Sequence, residues 1–171
     1  RLLELTRQDP AHWREIVRWA ALRAALPSVI WGLVQRLCPQ PTSLPTGNDW
    51  ALAILAGQVL AETGLNQSED LDDIEQQTLQ SVLTWLTHTV QQEQLPLPMR
   101  ISASSTLGNL GDPRPGIGCT ADGIPEMAWV TVEAGNFLIG SAATLYRQLQ
   151  STYVLSRYPV TVAQYHAFFA D

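Results

Sequence analysis

Leu107-Gly108-Asn109-Leu110-Gly111-Asp112-Pro113-Arg114-Pro115-Gly116-Ile117-Gly118 divides this chain of 171 residues. Before it, apolar residues recur at helical spacing; after it, β-branched and aromatic residues cluster between turn residues. Gly111 stands where a helix end favours glycine, and Pro113 cannot continue a helix. The stretch therefore predicts an α+β chain with its helices and strands segregated. A helical domain is expected over residues 1–112, a Gly/Pro-rich linker or irregular entry loop over 113–125, and a β-rich domain over 126–171.

Working back from Gly111, Ile101, Ala103, Leu107 and Leu110 make a short amphipathic helix after Pro96 and Pro98. The long helix before it is expected from Leu71 to about Gln92, with Ile74, Leu79, Val82, Leu83, Leu86 and Val90 on its apolar face. Glu69, Asp70, Asp72, Asp73 and Glu75 crowd its start, where the helix dipole favours carboxylates. A calcium loop would need a mid-loop glycine and a distal bidentate glutamate, and the spacing has neither. Further back, Asn48 or Asp49 is expected to cap a helix that ends at Gly64. That helix is apolar on most sides through Trp50-Ala51-Leu52-Ala53-Ile54-Leu55-Ala56, so it belongs between neighbours. Val29, Ile30, Leu33, Val34 and Leu37 mark another helix, stopped by Pro39. The first opens on Asp9-Pro10, an N-cap followed by proline at the first helical position, and runs to Pro27.

Forward from Gly111, Gly116, Gly118, Gly123, Pro115 and Pro125 make a turn-rich passage. Met127–Glu133 and Asn136–Gly140 then flank Ala134-Gly135 as the arms of a β-hairpin. A third strand is expected at Thr152–Ser156, and Thr161 is expected to cap a helix bearing Val162, Tyr165, Phe168 and Phe169.

Composition narrows the chemistry. Ten basic residues are all arginine, so Schiff-base chemistry and a lysine-bearing phosphate loop are both excluded for these residues. A net charge of −6 without a basic stripe argues against direct nucleic-acid binding. The most apolar stretch, Ala20–Val34, is interrupted by Arg23 and Pro27, so no membrane span is expected. Cys38 and Cys119 form neither a metal pair nor a disulfide framework, which makes a cytoplasmic location the expectation. His12, His88 and His166 are solitary. The chain starts at Arg1 without Met and stops at Asp171 within an apolar helix-like run, and so reads as a piece of a longer polypeptide.

Arg100 to Arg114, an alanine-bearing helix running into Leu-Gly-Asp-Pro-Arg, resembles the end of a HEAT-type helical repeat. Trp129-Val130-Thr131-Val132-Glu133-Ala134-Gly135-Asn136-Phe137-Leu138-Ile139-Gly140-Ser141 is similar to a hairpin of the formylglycine-generating-enzyme and sulfatase-modifying-factor family. Ser156-Arg157-Tyr158-Pro159-Val160-Thr161-Val162-Ala163-Gln164-Tyr165 is similar to the same family's strand-to-helix turn, although Val162 stands where asparagine is usual. The resemblance covers only the opening of that domain. It implies the truncated start of a C-type-lectin-like fold behind an antiparallel, HEAT-like helical array.

With Trp13–Val17, Leu55–Glu62 and Gly108–Gly116 in front, the order resembles bacterial proteins in which a NACHT-type NTPase and a helical region precede such a domain. The resemblance implies a non-catalytic helical scaffold and the start of a ligand-recognition domain in a signalling or defence protein, with a protein or a small ligand as partner. The alternative it implies is a fragment of a formylglycine-generating or related non-haem metal oxidase, with copper, iron or calcium in the complete domain. No catalytic, cofactor-binding or metal-ligating residue is expected in this chain, while the full-length protein could be an oxidase or an NTPase. The candidate contact residues are Arg114 and Arg157, each of which follows a turn and presents a guanidinium able to pair a carboxylate bidentately. A structural ion pair, for Arg114 with Asp112 or Asp122, is the competing reading.

Overall fold

The computed structural model describes residues 1–40, 44–120, 122–139 and 145–169. The chain divides into two compact units, Arg1–Asp112 and Pro113–Asp171.

The first unit is helical throughout: α1 (Leu2–Gln8), α2 (Pro10–Leu22), α3 (Pro27–Leu37), α4 (Gly47–Thr63), α5 (Asp73–Gln91) and α6 (Leu97–Leu110), with a short 3₁₀ turn at Leu65–Gln67. Local chemistry sets these boundaries. The Asp9 carboxylate accepts the His12 N–H at 3.0 Å, and Pro10 opens α2, as its sequence predicts. α2 stops at Leu22 rather than continuing to Pro27. The residue before a proline is driven out of the helical region, and Leu26 is accordingly extended. α4 is capped by Thr46, not by Asn48 or Asp49. The Asp49 carboxylate instead returns to the Thr46 N–H at 2.7 Å, which completes a capping box. Asp72 and Glu75 make the same box at the start of α5. Gly64 closes α4 in the left-handed region, at φ 70°.

α4 is the centre of this unit and packs against α2, α3, α5 and α6. Leu52 to Ala56, Val59 and Leu60 are buried around its circumference, as its continuous apolar run requires. Gly57 is the point of closest approach. A Cβ built there would lie 2.8 Å from both Leu86 Cδ1 of α5 and Thr106 Cγ2 of α6. The buried threonines Thr6, Thr78, Thr89 and Thr106 each donate to the carbonyl four residues earlier, so helix and core share them without an orphaned hydroxyl. Trp31, Trp50 and Trp85 are buried, whereas Trp19 is 64% exposed on α2.

The second unit holds β1 (Trp129–Val132), β2 (Gly135–Ile139), β3 (Leu145–Leu149), β4 (Tyr153–Ser156) and α7 (Val162–Phe169). The hairpin expected across Ala134-Gly135 does not form. β1 pairs antiparallel with β4 and β2 with β3, so β1 and β2 are successive parts of one arm and β3 and β4 of the returning arm. Gly135 belongs to β2 with an extended backbone rather than to a turn. Val132 faces Tyr153 and Gly135 faces Leu149, so Glu133 and Ala134 oppose three residues, 150–152. The extra residue acts as a bulge between the two ladders. Thr152 bridges it, donating to Glu133 Oε2 at 3.0 Å and accepting the Ala134 N–H at 3.4 Å. Gly140, the end of the second expected arm, lies outside the described residues.

Candidate functional site

Within the second unit the candidate contact residues sit on two backbone elements, the entry passage from Pro113 and the approach to α7. Arg114 opens a turn in which its carbonyl accepts the Ile117 N–H at 3.4 Å, and its side chain is half-buried. Arg157 follows β4. Its N–H donates to the Ala128 carbonyl at 2.7 Å, and its side chain is exposed. The two arginines are therefore anchored through different backbone partners.

The stretch 113–125 is folded into the second unit as an entry loop. Thr120 donates to the Ile124 carbonyl at 2.8 Å and Glu126 to the Gly118 carbonyl at 3.0 Å, with a bridge between Cys119 and Pro125. Gly116 is needed where it stands. Its φ is +84°, and a Cβ there would lie 2.4 Å from the Ala128 Cβ and 2.6 Å from the Ala128 N.

What holds this loop is a residue that the sequence reading did not single out. Gln164, 1% exposed, reaches from α7 into the loop. Its Nε2 donates to the carbonyls of Glu126, Gly118 and Gly116 at 2.5, 3.2 and 3.3 Å, two N–H groups shared among three acceptors. Its Oε1 accepts the Thr161 N–H at 3.0 Å, while Thr161 Oγ1 donates to the Ile117 carbonyl at 2.9 Å. Thr161-Val162-Ala163-Gln164 has capping-box spacing, the signal that marks Gln164 in the sequence. The box is only part of its role, because the carbonyls it collects lie 38 to 48 residues away.

Around this clamp many of the described apolar side chains lie in water. Trp129, Val154, Leu155, Val162, Phe168 and Phe169 are all exposed, the two phenylalanines by 75%. The Cys119 thiol, half-buried, lies 3.9 Å from the Ala163 carbonyl. Cys38, in the helical unit, is buried, and burial pushes its thiol up to about 11. Among the described residues no three His, Cys, Asp or Glu side chains cluster so as to hold a metal ion. No helix among the described residues is long and apolar enough to cross a membrane.

Among the described residues the helical unit has several clefts, two of them mainly apolar. One, of about 440 Å³, lies between α1, α2 and α3 over Leu3, Ala20, Ala24, Val29 and Leu33. The other, of about 350 Å³, is floored by Trp50 and Trp85 and edged by Gln77, Ser81 and His88. Those two indoles meet edge to face at 5.0 Å, and Trp85 Nε1 donates to the Pro39 carbonyl at 3.0 Å. Compared with family models, with curated proteins and with solved structures, the chain matches none.

Proposed function

We propose that residues 1–112 are a helical scaffold and that residues 113–171 are the opening edge of a ligand-recognition domain similar to the formylglycine-generating-enzyme type. In this reading both belong to a larger cytoplasmic protein of the bacterial NACHT-type signalling class. One observation carries the reading: the second unit buries a polar clamp, Gln164, while leaving a broad set of aromatic and branched side chains in water. Exposed apolar surface of that extent marks an interaction face or an unfinished core. The bulged two-ladder ribbon leaves edges that a larger domain would pair. The helical unit, by contrast, has a core of its own and supports the scaffold role.

In this proposal Arg114 and Arg157 stand on the recognition side, where a carboxylate or another anionic group of the ligand would meet them. Copper, iron or calcium belongs to the complete domain, held by residues other than those described above. The test is metal analysis together with a peptide-cysteine oxidation assay on the protein extended on both sides of this segment. A metal-free, inactive protein that binds a protein or small ligand supports the recognition reading. Bound copper or iron with turnover replaces it by an oxidase of the formylglycine-generating kind.

A further inference from the structure

α2 packs against α4 on one face and against α1 beside it, and the face between them remains partly open. On the covered face Val17 and Ala21 are buried, and α4 packs there. The flanking arginines find partners on that helix. Arg14 Nε donates to Gln58 Oε1 at 3.0 Å and Arg18 Nε to Glu62 Oε1 at 2.8 Å, with Glu15 also bound to Arg18. On the other face, Ala20 and Ala24 join Val29 and Leu33 in the cleft toward α1 and α3. Ile16, Trp19, Ala20 and Arg23 adjoin one another there at helical spacing, all exposed. Arg36 stands at the cleft on α3. Among the described residues neither Arg23 nor Arg36 has a carboxylate within ion-pair distance of its guanidinium.

The complement to this face is in the same chain. Residues 1–36 carry six arginines against Glu4, Asp9 and Glu15, whereas residues 37–112 carry Arg100 alone against nine carboxylates. Five of the nine lie in Glu69–Glu75. Asp72 and Glu75 are occupied by the capping box, while Asp70 and Asp73 are exposed, and Ile74 beside them is 61% exposed. α4 meets the covered face of α2 with aliphatic side chains and the Glu62 carboxylate on Arg18, and Ile74 beside Asp70 and Asp73 offers a related combination of an aliphatic side chain with carboxylates. We propose that the cleft between α1, α2 and α3 is a docking site for the 69–75 segment of a second copy of this chain. Ile74 enters over Ala20 and Ala24, and Asp70 and Asp73 meet Arg23 and Arg36. Because the donor and acceptor patches differ, the contact is head-to-tail, a form that closes as a ring or continues as a chain. The inference is independent of the function proposed above.

Sedimentation velocity on the 171-residue chain, over a concentration series at low and at physiological salt, tests it. The expected result is self-association that weakens with salt, since exposed ion pairs are screened. The double variants Arg23→Glu/Arg36→Glu and Asp70→Arg/Asp73→Arg each weaken it by about tenfold or more, the size expected when two interfacial ion pairs become repulsive. Circular dichroism verifies that both remain folded. Mixed in equal amounts, the two variants regain association, because each acidic patch again meets a basic one. A chain that stays monomeric, association indifferent to both variants, or variants that weaken association without rescue on mixing overturns the proposal. Indifference to both would assign the association to the apolar faces of the 113–171 unit.

Discussion

The two units solve the burial problem in opposite ways. In residues 1–112 an apolar helix, α4, is surrounded by amphipathic helices; the buried threonines Thr6, Thr78, Thr89 and Thr106 are satisfied within their own helices, while Asn66 Oδ1 and Thr87 Oγ1 are buried without a partner among the described residues. Among the described side chains of residues 113–169 the best buried is an amide, and Trp129, Val154, Leu155, Phe168 and Phe169 are exposed. Hydrophobic burial contributes about 25 cal/mol per Å² and is non-directional, so the first unit is held by many interchangeable contacts. The second is held by a few directional hydrogen bonds, each worth only about 1 kcal/mol net. A helical bundle built the first way is stable alone, whereas a bulged ribbon built the second way depends on what covers it.

That contrast is open to attack at named residues. Leu60→Ala, at a position fully buried on α4, removes a side chain from the centre of the first unit and is expected to cost about 2–5 kcal/mol. Urea unfolding followed by the fluorescence of the buried indoles measures it, and the second unit should be unaffected. Gly116→Ala has the reverse locality. Its Cβ clashes with Ala128 at a backbone conformation alanine resists, and overpacking of that kind costs about 1–3 kcal/mol before strain is counted. Loss of amide protection confined to the second unit is the expected readout.

Gln164→Leu keeps the volume and removes the clamp. It leaves the carbonyls of Glu126 and Gly116 without the amide donor and Gly118 with the Glu126 N–H alone, at about 1–3 kcal/mol by the cost of an unsatisfied buried group. Limited proteolysis should then cut between residues 113 and 126. If the loop keeps its resistance, the clamp is not what holds it. Asp72→Ala takes away the α5 cap and is expected to lower the stability of the helical unit by about 0.5–2 kcal/mol, read in the same urea titration.

The helical unit was legible in the sequence because its punctuation is local. Asp9-Pro10 at α2, Gly64 after α4, and Gly111 with Pro113 after α6 each act on their own neighbours, and the caps follow from side chains three residues away. Most errors there were small shifts, as with Thr46 in place of Asn48 or Asp49, but α1 (Leu2–Gln8) had no expected counterpart. The exposure of Trp19 depends on which side of α2 its neighbours cover, which is a tertiary fact. In the second unit the strands at 129–132 and 153–156 were legible from β-branched and aromatic content, but their pairing was not. Partner choice depends on residues some twenty positions apart, and Ala134-Gly135 has the look of a turn, whereas the chain only bends at Ala134 and Gly135 opens β2. Gln164 was missed for a related reason: a capping box accounts for two of its hydrogen bonds, and the three that anchor the entry loop are nonlocal.

Native-state hydrogen exchange on the 171-residue chain tests the central contrast most directly. Amides of α4 from Leu55 to Thr63 should exchange only through global unfolding of the helical unit, while those of 129–139 and 145–156 should exchange through openings of far lower free energy. Protection of the ribbon amides equal to that of α4 would contradict the account, because it would mean that residues 113–171 have all the cover they need.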